Sequence, residues 1–430
     1  MSRDEKVSRR DFMRAAVATS AAVGGFTILG ATAKGQGKVF RVGLIGCGGR
    51  GSGALAQHVE AAKALNDTLN LGIEVQVVAC ADFFKDRAEG TGKRYGVPAD
   101  KCFGGADNYK KLLEVPLDNV LMGQAPAFRP PHLEAAIKAG KNVFMEKPSA
   151  VDAPGVRRVM EAGKLAKEKG LVVVAGTQRR HEQGYNRQAQ LIKEGALGKV
   201  FGGRVAWNMG KIFHNNPMNP TKPDDLVRGG NWQLWIEMSG DHICEQHVHN
   251  IDIANWFIGR HPVSAAGFGG RARRKAGNMY DFFSGDFDYG DGVHVHSMCR
   301  QIGGCWDWVG ESFVYEKRAP GDYKFQEPVR YADIPQKGGP YVQEHIHMLY
   351  HILKGKELNE AQSVAEATGA AIMLRDSAYT GQMMRWDEMY LDPKKKPEIY
   401  NKACKPSADD FETGDIVYPK DGDAPVPGKE

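Results

Sequence analysis

The 430-residue sequence has few cysteines, little excess of charge of one sign and, beyond its start, no long apolar run. The seven cysteines are scattered without a C-x-x-C pair, which argues against a zinc ribbon or a thioredoxin-type motif. Lysine and arginine number 57 against 52 acidic residues, and no basic run indicates a nucleic-acid surface. No apolar stretch after the first 33 residues approaches the ~20 residues of a membrane span. These absences leave a globular chain long enough for two domains.

The segment 1–33 has the features of an export address. The run S-R-R-D-F-M precedes a small-residue apolar stretch, and A-T-A then offers a cleavage site. The pattern resembles a twin-arginine (Tat) signal, and an anchoring N-terminal helix is the alternative. We therefore predict a periplasmic protein, with no stable membrane span after signal removal, that folds before export. In that compartment Cys299 and Cys305 could pair, and small buried thiols are the other interpretation.

A glycine-rich turn follows the buried strand pattern V-F-R-V-G-L-I and opens a helical pattern. Its sequence is G-x-G-x-x-G in the strand–turn–helix context that a dinucleotide site needs. Gly46 permits the tight turn, Gly48 lets the backbone approach a pyrophosphate, and Gly51 lets helix and strand pack closely. Gly49 and Arg50 lie at the helix N-terminus, where free N–H groups favour phosphates.

The next strand pattern, E-V-Q-V-V-A-C-A, ends at Asp82. A carboxylate there can accept hydrogen bonds from ribose hydroxyls and would repel a 2′-phosphate, which favours NAD over NADP. Asp82 lies farther beyond the turn than the usual ~20 residues. We therefore expect an elongated helix–strand connection over 65–72, with an ordinary loop carboxylate as the alternative for Asp82.

Strand and helix patterns then alternate through the N-terminal half. The predicted strands are 119–122, 142–145 and 171–175, and the predicted helices are 130–138 and 154–169. This alternation predicts a doubly wound α/β Rossmann domain over 38–178, with ligands at the carboxyl ends of its strands. Gln124 and Pro126 follow one such strand and are expected to border the cofactor.

Strand patterns dominate the C-terminal half. They fall at 200–207, 263–271, 282–289, 293–300 and 308–315, and helix patterns follow at 342–353 and 361–379. We predict an α+β domain over 179–395 with a large, mainly antiparallel sheet. Glu344, His345 and His347 are expected to be solvated or at an interface. The tail, 396–430, is predicted to be an extended arm or a loose segment.

Four motifs now coincide. They are the glycine turn, E-K-P at 146–148, G-T-Q-R-R at 176–180 and E-Q-H-V-H-N-I-D at 245–252. Together they resemble the glucose–fructose oxidoreductase/inositol dehydrogenase (Gfo/Idh/MocA) family over about 38–388. The resemblance implies a small carbohydrate substrate and a homodimer or homotetramer formed through one face of the large sheet. Because free NAD is scarce in the periplasm, we predict that the NAD is exported tightly bound to the folded protein.

The resemblance also implies three catalytic residues, Lys147, Glu245 and His249, with Glu146 and Lys147 beside the cofactor. The family often has Asp at the position of Glu245 and Gly at that of His247. The chemistry agrees, because alcohol oxidation needs a base for the hydroxyl proton and benefits from a cation beside the developing alkoxide. Histidine titrates near neutral pH, and Glu245 and His249 lie one helical turn apart.

Several other residues are candidates for the site. Those predicted to contact substrate are Arg179, Arg180, Tyr185, Trp232 and His247, with Trp207 and Trp235 as further aromatic candidates. His242, Glu245, His249 and Asp252 fall on one predicted helical stripe. One helix cannot easily bring four ligands to a point, so we predict no metal. Asp252 is expected to anchor the helix through buried hydrogen bonds.

The sequence therefore predicts an NAD-dependent oxidoreductase that acts on a secondary hydroxyl of a sugar, glycoside or cyclitol. An alternative uses the same residues for redox-neutral glycoside cleavage by transient oxidation, elimination and re-reduction. A non-catalytic sugar-binding protein is the third hypothesis.

Overall fold

Six parallel strands form the first sheet. A computed structural model describes residues 37–210 and 215–423, so the predicted export signal lies outside the described residues. The strands are β1 Val39–Ile45, β2 Glu74–Ala81, β3 Cys102–Phe103, β4 Asn119–Met122, β5 Asn142–Met145 and β6 Val173–Ala175. Their order is β3-β2-β1-β4-β5-β6, with every pair parallel. The predicted Rossmann-like sheet is confirmed, and its strand order reverses between β1 and β4, where such sheets bind ligands.

Helices connect these strands. They are α1 Gly49–Leu69, α2 Lys85–Tyr95, α3 Asn108–Leu113, α4 Arg129–Lys138, α5 Ala153–Glu168 and α6 Gln183–Lys193. The 21-residue α1 continues to Leu69 and ends at Asn70, whose φ of 50° is left-handed. A longer helix, rather than the predicted elongated connection over 65–72, therefore accounts for most of the extra residues before β2.

The second sheet also has six strands. They are β7 Val200–Met209, β8 Ser264–Gly270, β9 Phe282–Asp288, β10 His294–Gln301, β11 Trp308–Tyr315 and β12 Met384–Arg385. Their order is β11-β7-β10-β9-β8-β12, and only the pair β7 and β10 is parallel. The prediction of a mainly antiparallel sheet is confirmed.

One long helix packs against both parts of the molecule. The remaining helices are α7 Pro223–Val227, α8 Ile236–Ser239, α9 Val248–Ile258, α10 Pro340–Lys354, α11 Ala361–Thr380, α12 Pro397–Tyr400 and α13 Ala408–Thr413. Helix α11 contacts both α5 and β8. A Cβ added at Gly267 or Gly285 would lie 2.5 or 2.4 Å from the Leu374 side chain, so the helix packs directly on the sheet.

The C-terminal segment over 396–423 is a packed arm rather than a loose tail. Tyr400 is fully buried, and the Phe411 ring lies 5.0 Å from the Phe128 ring and 5.8 Å from the Phe83 ring. The Cys404 backbone N–H donates to Asp152 at 2.8 Å. Aromatic burial and backbone pairing therefore hold this arm on the first domain despite its polar composition.

The expectation for α10 needs correction. Glu344, His345 and His347 are buried rather than solvated: His345 Nδ1 lies 3.2 Å from His58 Nδ1 of α1, and His347 Nδ1 lies 2.7 Å from His181 Nδ1. For the cysteines two interpretations were open. All seven are free thiols, so Cys299 is a small buried thiol and does not pair with the exposed Cys305. Among the helices that the structure describes, none has the length and apolarity to cross a membrane.

Candidate active site

The glycine turn is shaped by close backbone contacts. Gly46 has a φ of +88°, and a Cβ there would lie 2.3 Å from the Gln124 backbone nitrogen. A Cβ at Gly51 would lie 1.8 Å from the Gly46 carbonyl oxygen. Added Cβ atoms at Gly48 and Gly49 would meet nothing within 4 Å. The turn therefore packs tightly on its inner side and leaves open space at the N-terminus of α1, where N–H groups lack partners.

Asp82 lies directly after β2, as predicted. One carboxylate oxygen accepts the Cys47 N–H at 2.7 Å, and the other accepts the Phe84 N–H at 2.9 Å. Burial raises the pKa of Asp82, and the two backbone N–H groups oppose that rise. The carboxylate is thus held rigidly beside the turn, and its role toward a ribose stays a prediction.

A first cavity of about 140 Å³ extends along this turn. Six of the predicted cofactor residues line it, namely Gly46, Gly48, Gly49, Arg50, Asp82 and Gln124, and Phe83, Phe84 and Arg87 also contribute. Gly51 packs beneath the turn, and Pro126 is buried in the short 3₁₀ helix Pro126–Phe128. Neither of these two lines the cavity.

A second cavity of about 340 Å³ adjoins the first and shares Arg50, Gly123 and Trp232 with it. Its lining includes Glu146, Lys147, Glu245 and His249. The structure therefore brings the three predicted catalytic residues together beside the predicted cofactor site.

Lys147 follows β5 and extends toward the helical segment that carries Glu245. Its Nζ donates to the Glu245 backbone carbonyl and lies 3.5 Å from Glu245 Oε2. Burial raises the pKa of Glu245, and the nearby Lys147 and Arg129 oppose that rise. The ammonium is thus held in the cavity by Glu245 rather than released to solvent.

His249 also lines this cavity and is the second residue of α9. Burial and then the charges of Lys147 and Arg179 hold its pKa well below the usual range of histidine. Its ring stacks on Trp207 at 5.8 Å, and among the described residues no group forms a hydrogen bond with its ring nitrogens. His249 is therefore a neutral imidazole with a free nitrogen, the form that accepts a proton.

The predicted four-residue stripe was wrong. The π-helical turn Ile243–His247 precedes α9, and its wider turn breaks the 3.6-residue periodicity on which the stripe depended. His242 Nδ1 lies 2.9 Å from Asp241, and Asp252 is paired with Arg180. Among the described residues no group of three or more His, Cys, Asp or Glu could hold a metal ion.

Two predicted substrate residues lie away from the cavity wall. Arg180 is buried and forms hydrogen bonds of 2.8 to 3.0 Å with both oxygens of Asp252, so it anchors α9, as expected for Asp252. His247 donates to or accepts from Ser297 Oγ of β10 at 2.8 Å. Its side chain therefore contacts the second sheet instead of the second cavity.

Of the other predicted substrate residues and aromatic candidates, some line the second cavity and others do not. Trp232 lines both cavities, whereas Trp235 is fully buried. Arg179 is paired with Glu311, and its guanidinium lies 5.7 Å from the Trp207 ring, which lines the second cavity. Tyr185 donates to Glu311 at 3.0 Å and lines a separate cavity.

Three of the residues that line the second cavity and that sequence reasoning missed have polar side chains from separate elements. Arg129 is the first residue of α4, Gln178 lies in a 3₁₀ turn after β6, and Tyr341 comes from α10. Gln178 Nε2 donates to the Tyr341 hydroxyl at 3.3 Å. Gln178 belongs to the G-T-Q-R-R motif, but no local signal marked Arg129 or Tyr341.

Comparison with known proteins gives two family matches. Residues 40–177 match the NAD-binding Rossmann fold of the Gfo/Idh/MocA oxidoreductase family, and residues 185–303 match a Gfo/Idh/MocA C-terminal domain. The inositol 2-dehydrogenase of Ralstonia nicotianae is 28% identical over 228 residues, 52% of this chain and 56% of that protein. Inositol 2-dehydrogenase 3 of Saccharopolyspora erythraea is 30% identical over 190 residues, 44% of this chain and 48% of that protein. The chain thus spans about half the length of these curated relatives.

Solved structures share the fold. Levoglucosan dehydrogenase in complex with NADH and levoglucosan gives a TM-score of 0.63 at 15% identity, covering 81% of this chain and 99% of that chain. Scyllo-inositol dehydrogenase from Lactobacillus casei, with NAD(H) and scyllo-inositol, gives 0.58 at 16% identity, with 81% and 99% covered. Likeness at these identities establishes the architecture alone.

Proposed function

Because the chain belongs to the Gfo/Idh/MocA oxidoreductase family, we propose that it uses NAD to oxidise or reduce a secondary hydroxyl of a sugar, glycoside or cyclitol. The observation that carries this proposal is the meeting of Lys147, Glu245 and His249 in one cavity that adjoins the glycine turn. Its relatives include inositol dehydrogenases, whose named substrate is a cyclitol.

The first cavity fits the cofactor. The open space above Gly48 and Gly49 would receive the pyrophosphate against the N–H groups of α1. Asp82 would accept hydrogen bonds from ribose hydroxyls, and Arg50 and Gln124 would flank the remainder of the nucleotide. When bound, the nicotinamide ring supplies the hydride acceptor or donor.

His249 is proposed as the base that takes the hydroxyl proton. Its depressed pKa keeps it neutral at physiological pH, and its free ring nitrogen supports this role. The flat stacking on Trp207 would keep the imidazole oriented toward the cavity.

Lys147 is proposed to orient the hydroxyl oxygen and to stabilise negative charge that develops on it. Its ammonium is anchored by the Glu245 backbone carbonyl, which supports a fixed position. Glu245, 3.5 Å from the ammonium, would balance the positive charge that Lys147 places beside His249.

We further propose that segment 1–33 directs the folded protein to the periplasm with NAD tightly bound, and that it assembles as a homodimer or homotetramer. The sequence features of the twin-arginine type support export. A tightly bound nucleotide would remove the need for a free NAD pool outside the cytoplasm.

Two measurements on purified protein test the proposed function. Mass spectrometry identifies any co-purified nucleotide, and a panel of sugars, glycosides and cyclitols is then screened for keto products and NADH. We expect a keto product formed together with NADH. Free aglycone without NADH would indicate redox-neutral cleavage, and the absence of bound NAD and of any product would contradict the proposal.

A Lys147→Met variant tests the assignment of the cation. We expect turnover to fall about 100-fold or more, because a donor to the developing oxyanion is lost. The matched control is Lys164→Met on α5, where the lysine is exposed and pairs with Glu161. Equal turnover of the two variants would contradict the assignment.

A further inference from the structure

The charges that line the second cavity do not balance. Its cations are Arg50, Arg129 and Lys147, and its carboxylates are Glu146 and Glu245. Arg50 Nε lies 2.9 Å from Glu146 Oε1, and Lys147 Nζ lies 3.5 Å from Glu245 Oε2. After these two pairs are formed, the guanidinium of Arg129 is left over.

Arg129 is fixed in place by neutral groups. Its Nη1 donates to the Pro148 carbonyl at 2.5 Å, and its Nη2 donates to the Gln124 carbonyl at 2.7 Å. These bonds use two of the five N–H groups that a guanidinium carries. Within the ranges 37–210 and 215–423, no carboxylate oxygen lies within 4.0 Å of it, and Nε has no hydrogen-bond partner.

A buried cation without a carboxylate in direct contact is unfavourable, because two carbonyl groups and the more distant charges of Glu245 and Glu146 replace its lost water only in part. Arg129 is only 3% exposed, and burial lowers its pKa to about 10. It lines the second cavity and not the first, which runs along the glycine turn. This cation, which has no carboxylate in direct contact, therefore lies where the substrate, rather than the cofactor pyrophosphate, is expected.

We propose that Arg129 binds a carboxylate of the substrate, so that the preferred substrates are acidic sugars of the uronic acid type. This rests on the proposed function and narrows its substrate class. The planar guanidinium has N–H groups left for a carboxylate, which it binds through paired hydrogen bonds. A single negative charge matches the single unpaired cation, whereas a phosphate ester would leave an excess of negative charge.

The experiment compares matched neutral and acidic sugars on the NADH-loaded protein. Glucose, galactose and mannose are each paired with their uronic acid, and glucose 6-phosphate is added as a further anion. Binding is followed by the fluorescence of bound NADH, and turnover is followed separately by keto-product formation. We expect at least one uronate to bind about 10- to 100-fold more tightly than its neutral partner, as for a charge-assisted hydrogen bond.

An Arg129→Gln variant tests whether Arg129 causes the tighter binding of uronates. We expect it to abolish the uronate advantage, whereas the matched control Arg158→Gln keeps it. Arg158 is an exposed residue of α5 that pairs with Glu134 at 2.6 Å. Should Arg129→Gln fail to fold, the comparison of sugar pairs on the unmodified protein still decides the question.

Three results would overturn the proposal: no preference in any pair, tighter binding of the phosphate ester than of every uronate, or an equal loss for neutral and acidic sugars in Arg129→Gln. Keto products from neutral sugars without a uronate preference would overturn this inference alone. Uronate binding dependent on Arg129 without any keto product would overturn the oxidoreductase function while preserving the anion site.

Discussion

The two adjoining cavities are built in different ways. One side of the first is formed by backbone, because the glycine turn, the end of β2 and the chain after β4 approach one another closely, and side chains such as Phe84 and Phe128 complete it. The second is formed by side chains from distant elements, including Lys147 after β5, Glu245 in the π-helical turn and His249 in α9. The glycine turn of the first site therefore has no space for added side-chain atoms at its closely packed positions, Gly46 and Gly51. The second site depends on its charged and titratable side chains, so the removal of one of them should impair it.

The sharpest test of this difference removes the imidazole. In His249→Gln we expect kcat to fall about 10²- to 10⁴-fold, because no base remains for the hydroxyl proton. NAD binding, measured by titration, should change little because the first cavity is intact. His294→Gln is the matched control, since His294 is exposed on β10 and pairs with Asp286. Similar kcat values for the two variants would remove His249 from the chemistry.

The complementary test adds one methyl group to the glycine turn. In Gly51→Ala the new Cβ would lie 1.8 Å from the Gly46 carbonyl oxygen, so the turn must open. We expect a loss of about 3 kcal/mol in the free energy of unfolding, measured with denaturant, and weaker NAD binding. Gly49→Ala should cost less than about 0.5 kcal/mol, since its Cβ meets no atom within 4 Å. Equal losses in the free energy of unfolding of the two variants would show that close packing at Gly51 does not determine the conformation of the turn.

The sequence predicted the first cavity well, because its signals are contiguous. The glycine turn and the strand that ends at Asp82 each carry a local pattern, and the structure has both elements there. Glu146 and Lys147, which were also predicted to lie beside the cofactor, line the second cavity instead. Parallel strands place their carboxyl ends at one edge of a sheet, so the topology followed from the alternation of elements.

The second cavity was predicted less completely, because its partners are separated along the chain. Arg180 forms an ion pair with Asp252, and His247 forms a hydrogen bond with Ser297. No local sequence pattern indicates either of these contacts. The predicted helical stripe from His242 to Asp252 was wrong because no sequence pattern indicated the π-helical turn Ile243–His247. Arg129 was missed since its two carbonyl partners lie in separate loops.

The pH dependence of kcat/KM tests the electrostatics of the second cavity. Burial, Lys147 and Arg179 lower the pKa of His249, so the neutral base persists at pH values where an ordinary histidine is protonated. We therefore expect the acid limb of the profile to lie below about pH 6.5, the usual pKa of histidine. An acid limb at or above this value would contradict the assignment of His249 as a buried base.

The smallest effect is expected where the two cavities meet. Trp232 lines both, so Trp232→Phe should raise KM for NAD and for the sugar together, each by about 2- to 5-fold. Steady-state kinetics with each substrate varied in turn measures both values. A change in only one KM would show that the cavities do not share this wall during turnover.

The proposed function requires that Lys147 and His249 act on the hydroxyl group of the same carbon that exchanges a hydride with the nicotinamide. The most direct measurement uses a sugar or cyclitol deuterated at the carbon that bears the reacting hydroxyl, with mass spectrometry of the nucleotide after a single turnover. We expect one deuterium per turnover to appear in NADH. Deuterium released to water, or retained in the substrate with no oxidised product, would contradict it.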